Sequence, residues 1–225
     1  MPTKTPHASQ LYRSFKAIEA DSYRSILRFV ESHTDELHLL SVREYFGLQY
    51  AYVAALYETG AYDRVVALAT RLLEMSIVEG IAEVEGEDAF RTLLFRRAHG
   101  LFHLMRYDEC LRVCDQALRL YPDDSVLAHL YERALYQRPN RWVSRARAAS
   151  VSLFLGAALL IAAEVLVVQH FLAEWATGVM WVRNVAFVAG WLLLLGGDIA
   201  HRTWAWTRVA AAQRRYRRRR RARAD

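Results

Sequence analysis

Between Ala148 and Gly197 the chain carries two long apolar stretches joined by AEWATG, and it ends in the arginine run QRRYRRRRRARAD. The first stretch is uncharged from Ala148 to Ala163 and mostly apolar to Leu172; the second reads from about Thr177 to Ile199. At about 1.5 Å rise per residue, each supplies the roughly 20 residues that cross a hydrocarbon core. We therefore expect two transmembrane helices, about 149–172 and 177–199, within a membrane segment spanning 148–200. A connection as short as Ala173 to Gly178 joins antiparallel neighbours, which makes a hairpin with both ends on one side. Arg141, Arg145 and Arg147 precede the first stretch, and Arg202 and Arg208 follow the second. The basic tail, 201–225, adds Arg214, Arg215, Arg217, Arg218, Arg219, Arg220, Arg221 and Arg223. The positive-inside rule then places both termini in the cytoplasm.

Charge divides the chain in the same place. Residues 141–225 hold 14 Arg and four acidic residues, a net of +10, while the first 140 hold 16 basic and 20 acidic residues, a net of −4. The overall +6 is thus a property of the tail. Basic residues that flank a membrane span are attracted to anionic headgroups by about 1 kcal/mol each, so the expected counter-charge of the tail is lipid and not nucleic acid. The first residues, MPTKTPHASQ, have no apolar core of a leader, which fits a cytoplasmic domain ahead of the spans. The arginine-rich, lysine-poor composition fits a bacterial inner membrane.

Residues 1–140 show helical rather than alternating periodicity, and the expected fold class is all-α. Residues 1–40 read as an N-terminal helix and a connection, with Leu11, Phe15, Ile18, Ile26, Phe29 and Val30 on one face from about Ser9 to Glu31. SHTDELHLL breaks that pattern. Ser41 and Glu44 then stand three apart, the spacing of a capping box, and open a helix that runs to Glu58 and stops at Gly60.

The next segment, 41–140, contains a repeat. LYETGAYDRVVALATRLLEM and LFHLMRYDECLRVCDQALRLYPDDS share a Tyr-Asp pair and the apolar spacing after it, 45 residues apart from Tyr62 to Tyr107. This pattern resembles the tetratricopeptide repeat, a 34-residue helix-turn-helix. The second copy has Ala98 at the small position of the first helix, Leu101 at the aromatic one, Tyr107 in the turn, Cys110 and Ala117 at the usual Ala positions, and Pro122 at the close. The first copy keeps Gly60 and Tyr62 but has Val53 and Val65 where small residues are usual and lacks the closing Pro. The extra 11 residues fall in the acidic connection SIVEGIAEVEGED, and Val126 to Gln137 reads as a capping helix. The resemblance covers about residues 45–137.

What the resemblance implies is a binding module: such stacks hold a protein or peptide in the groove lined by their first helices. Carried over, the groove positions are Tyr50, Ala54, Tyr57 and Glu58 in the first copy and Thr92, Phe95, His99, Phe102 and His103 in the second. This aromatic, weakly basic set suits a peptide with apolar anchors, and the only lysines, Lys4 and Lys16, do not supply a carboxylate clamp. The same aromatics could instead pack between helices, and the N-terminal helix could itself fill the groove.

His99 and His103 share a helical face, but two ligands do not make a metal site, and we expect no metal or other cofactor. Cys110 and Cys114 fall on inward repeat positions and read as core thiols of a reducing compartment. With no nucleophile motif, phosphate loop or paired carboxylates, the chain does not read as an enzyme. In the apolar segment the candidate intramembrane polar residues are Glu164, Arg183, Asn184 and Asp198. Glu164 shares a four-residue row with Ser152, Gly156 and Leu160, and Arg183 one with Ala186, Gly190, Leu193 and Gly197. Folded about residue 175 or 176, the hairpin brings Glu164 and Arg183 within reach of an ion pair. Trp175, Trp181, Trp191, Trp204 and Trp206 include interfacial anchors.

The reading is a membrane-anchored adaptor or scaffold that recruits a protein partner to the cytoplasmic face. The alternative is an oligomeric channel or membrane-disrupting effector, assembled as a homo-oligomer through the hairpin and gated by the repeat domain.

Overall fold

The computed structural model describes residues 6–19, 21–138, 141–163 and 176–224. The fold is all-α, with helices α1 (Pro6–Lys16), α2 (Tyr23–Ser32), a 3-10 turn (Thr34–Leu39), α3 (Val42–Glu58), α4 (Tyr62–Val78), α5 (Ala89–His103), α6 (Tyr107–Leu120), α7 (Ser125–Gln137), α8 (Arg141–Ala163) and α9 (Ala176–Ala224). Two compact units result: residues 1–135 with 212–225, and residues 136–211.

In the first unit consecutive helices pack on one another from α2 to α6, an arrangement compatible with a helical-repeat fold. Its core is made by Phe46, Leu48 and Leu56 of α3, Leu72 of α4, Leu93 and Leu101 of α5, Leu118 of α6 and Leu127 of α7, all fully buried. Truncating any of these leucines to Ala would cost about 2–5 kcal/mol. The periodicity expected one helix from Ser9 to Glu31; the structure has two. Asp21 and Ser22 are the cause, because short polar side chains compete for backbone groups and favour caps over helix interiors. Ser22 stands at the N-cap of α2 with its hydroxyl donating to Ser25 Oγ at 2.8 Å. The apolar face survives the break, with Leu11, Phe15, Ile26 and Val30 all buried.

Ser41 and Glu44 form the expected capping box: the Ser41 hydroxyl accepts from the Glu44 N–H at 3.4 Å, and Glu44 Oε2 accepts from the Ser41 N–H at 3.2 Å. The 45-residue interval is equally visible in the backbone. Gly60 after α3 and Met105 after α5 both take positive φ, 80° and 57°, and the next residues, Ala61 and Arg106, have φ/ψ of −79°/59° and −83°/59°. Ala61 N–H donates to Leu56 O and Arg106 N–H to Leu101 O, each at 2.9 Å; Gly60 donates to Tyr57 O at 3.1 Å and Met105 to Phe102 O at 3.0 Å. Both turns are therefore Schellman motifs, one built on Gly and one on a residue that tolerates αL poorly.

The acidic connection is shorter and more ordered than its composition implies. After α4 a third Schellman turn uses Gly80 at φ 65°, with Ile81 N–H donating to Ser76 O at 2.9 Å. A two-strand ladder follows, β1 (Glu83–Val84) antiparallel to β2 (Glu87–Asp88), with Glu83 opposite Asp88. Its two loop residues, Glu85 and Gly86, both have positive φ (54° and 84°), the type I′ geometry that fits strand twist. Asp88 then caps α5 by accepting from the Arg91 N–H at 2.8 Å. Asp124 accepts from the first amides of α7, Val126 at 2.9 Å and Leu127 at 3.1 Å, and from Arg91 Nε at 2.5 Å, which ties α7 to α5.

Within Ser144–Ala162 of α8 and Met180–Arg218 of α9, runs of 18 residues reach mean hydropathies of 1.5 and 1.4, so both helices are long and apolar enough to cross a membrane. Residues 164–175 lie outside the described residues, and Ala176, Thr177 and Gly178, expected in the turn, begin α9. The Phe154 ring would meet a Cβ on Gly190 at 3.0 Å, and Ala146 Cβ one on Gly197 at 3.5 Å. These two pairs set α8 and α9 antiparallel, with Phe154 at the level of Gly190 and Ala146 at the level of Gly197. Of the row expected on α9, Gly190 is buried and Gly197 partly covered, whereas Leu193 is exposed. On α8 Ser150 and Ala157 are buried and Phe154 packs on Gly190, while Ser152 of the expected row is exposed and Gly156 and Leu160 are partly covered. A large ring seated on a glycine buries more apolar area than two facing small residues, and that decides the register.

Candidate partner-binding groove

Five of the expected groove residues come together on α3 and α5. The Tyr57 hydroxyl and His99 Nδ1 share a hydrogen bond of 2.8 Å. Around His99 stand Phe95 at 5.6 Å, Phe102 at 6.4 Å and His103 at 4.5 Å between ring centroids. Residues sequence reasoning did not select complete the cluster. Tyr62 stacks on His103 at 4.3 Å and an interplanar angle of 6°, and the Arg133 guanidinium of α7 lies 5.0 Å from the Phe102 centroid. The repeat could have exposed Tyr62, because Tyr57 and Tyr62 meet edge-on at 6.2 Å just as their counterparts 45 residues later, Phe102 and Tyr107, meet edge-on at 5.7 Å.

This surface is half-buried rather than core. Tyr57, Tyr62, Phe95, His99, Phe102 and Tyr107 are all of intermediate exposure, and His103 is exposed. Burial, then the neighbouring His103 and Arg133, lower the His99 pKa to about 4. The ring is therefore neutral at pH 7, and the cluster presents π faces and one guanidinium instead of a cationic pair. Burial also raises the Tyr57 hydroxyl, helped by Tyr62 and Glu58, so it stays protonated. Such a surface accepts aromatic or aliphatic side chains and offers Arg133 to a π face or an acceptor.

Tyr50 and Glu58 do not join it. Tyr50 is buried, donates its hydroxyl to Glu87 Oε2 at 3.1 Å, and carries the Arg96 guanidinium 5.2 Å from its ring centroid. It lines a separate cleft of about 580 Å³ walled by Phe15, Ile18, Tyr23 and Ile26 of the N-terminal segment and by Gly47, Ala51 and Ala54 of α3. Lys16 at the end of α1 pairs with Glu85 at the tip of the ladder across the mouth of this cleft. The N-terminal segment thus covers the Tyr50 end of the α3 face, as one expectation had it. Glu58 is exposed at the end of α3.

His99 and His103 have no third ligand: among the described residues no group of three His, Cys, Asp or Glu could hold a metal ion. Cys110 and Cys114 are free, buried thiols with Sγ atoms 3.9 Å apart, and the contact with Cys110 and burial push the Cys114 thiol up, which makes it inert at neutral pH. In the apolar segment Arg183 donates to Asn184 Oδ1 at 3.3 Å, while Glu164 and Trp175 lie outside the described residues, as does the side chain of Asp198. In the tail Arg214, Arg215, Arg217 and Arg218 are exposed; the side chains of Arg219, Arg220, Arg221 and Arg223 lie outside the described residues.

No protein-family model matches this chain, and no curated protein or solved structure matches it either. The class rests on the molecule itself: an all-α protein of packed consecutive helices with two helices able, by length and composition, to cross a membrane.

Proposed function

We propose that the chain is a membrane-anchored, tetratricopeptide-like adaptor that holds a protein partner through the α3–α5 face. The observation that carries the reading is the half-exposed cluster of Tyr57, Phe95, His99, Phe102 and His103, five residues chosen by repeat position and brought together by two different helices. Its chemistry favours a peptide with an aromatic or aliphatic anchor, since a neutral His99 and several ring faces gain most from apolar area and π contacts. The Schellman turns at Gly60 and Met105 support a repeat, because the same backbone solution recurs at the same point in both copies. The helices α8 and α9 serve as the anchor, with the arginines of both flanks on the cytoplasmic side.

The test is a photoreactive residue at Phe95 in the full chain within its own membranes. A discrete crosslinked partner is expected, lost in Tyr57→Ala and Phe102→Ala variants that still melt cooperatively. Crosslinks unchanged in both variants would remove the groove from the reading. Release of the chain by alkaline carbonate would remove the anchor.

A further inference from the structure

The far end of α9, from Ala212 on, is part of the first unit. Tyr216 is only 9 % exposed, and its hydroxyl donates to Asp115 of α6. The guanidinium of Arg119, one turn along α6, lies 5.8 Å from the Tyr216 ring centroid and pairs with Asp115 at 2.6 Å. Arg217 adds a second tie, its Nε 2.8 Å from Asp123 Oδ1 after α6. A buried aromatic anchor flanked by two carboxylates is a specific seat, whereas a topology-fixing charge run needs none.

The other side of the same helix is exposed. At about 100° per residue, Arg214 and Arg218 lie about 160° from Tyr216, with Arg215 on the shoulder between. All three are exposed and have no ion-pair partner among the described residues. We propose that the docked end of α9 is a two-sided connector: Tyr216 seats it on α6, and Arg214, Arg215 and Arg218 bind the phosphates of anionic lipid headgroups. The assignment deepens the proposed membrane anchoring and rests on it. Lipid is the phosphate source because these arginines continue the helix that begins as an apolar stretch at Met180, past exposed Trp204 and Trp206, with Arg208 stacked 4.5 Å over Trp204. Seating on α6 and binding to lipid use opposite faces, so they are simultaneous and do not compete.

The test uses the full chain in neutral detergent, titrated with short-chain phosphatidylglycerol, short-chain phosphatidylcholine, inorganic phosphate and single-stranded RNA, with hydrogen exchange read at residues 212–218 and on α6. Phosphatidylglycerol is expected to bind saturably while residues 212–218 stay protected. Replacing Arg214, Arg215 and Arg218 together by Gln should weaken that binding about hundredfold, some 3 kcal/mol, without deprotecting the tail. Tyr216→Ala should deprotect 212–218 while α6 remains protected. The connector is overturned if the triple variant binds like the parent, if phosphatidylcholine or free phosphate binds as well, if RNA binds more tightly, or if phosphatidylglycerol strips the tail from α6. Alkaline carbonate extraction of the same protein tests the membrane reading separately.

Discussion

The hydroxyl of Tyr57 on α3 lies 2.8 Å from Nδ1 of His99 on α5, with the rings 5.4 Å apart, and this pair joins the two helices at the centre of the aromatic cluster. Because the folded His99 pKa is lowered to about 4 against an ordinary value of 6.5, the unfolded chain binds the proton first as pH falls. The contribution is complete above about pH 6.5 and is lost between there and pH 4. Screening of a half-exposed ring reduces the loss at pH 5 to about 1 kcal/mol. Replacing His99 with Gln should flatten that part of the stability profile, measured by melting temperature from pH 7 to pH 4.5. A profile as steep in the variant as in the parent would show that other groups cause it.

Met105 occupies, at φ 57°, the position that Gly60 occupies at φ 80° in the first copy. It is 75 % exposed, so little packing is lost on truncation. Relief of αL strain, about 1 kcal/mol, exceeds the extra freedom of glycine in the unfolded chain, and Met105→Gly should stabilise by about 0.5 kcal/mol. Gly60→Ala, which has room for the methyl but the wrong φ, should destabilise by about 1 kcal/mol. Chemical denaturation of the pair checks both signs.

Local chemistry was the legible part of this fold. Ser41 and Glu44 cap α3 through three-residue spacing, and repeat positions brought Tyr57, Phe95, His99, Phe102 and His103 into one cluster, because neither depends on anything more than two helices away. Long-range competition hid the rest. An unbroken apolar face from Leu11 to Val30 masked the break that Asp21 and Ser22 impose, since periodicity reports burial and not helix continuity. Tyr50 has the spacing of a groove residue, but the N-terminal segment and Glu87 claim it. Tyr216 and Asp115, 101 residues apart, carry no pattern that links them.

Cys110 and Cys114 are fully buried. Neither sulfur is accessible in the folded core, and at Cys114 the neighbouring sulfur and burial also disfavour the thiolate that thiol reagents attack, so both should resist alkylation in the native protein and react together on unfolding. Measured against denaturant, labelling should follow the unfolding curve. Labelling of one thiol well before that transition would mean that α6 opens locally, independently of the core.

Gly190 and Gly156 separate the two possible seams of the apolar pair. A Cβ on Gly190 meets Phe154 ring carbons at 3.0, 3.1 and 3.4 Å, too close without movement of the ring, whereas one on Gly156 meets nothing within 4 Å. Phe154 is not free to swing, because its ring also stands edge-on to Phe187 at 5.6 Å and to Trp191 at 6.0 Å. Gly190→Leu should therefore overpack the seam and cost about 1–3 kcal/mol, while Gly156→Leu should be tolerated. Unfolding in mixed micelles measures both changes. If Gly156→Leu were the more damaging, the working face of α8 would be the row of small residues with Ser152 and Leu160, and that face would serve contacts beyond its own hairpin partner.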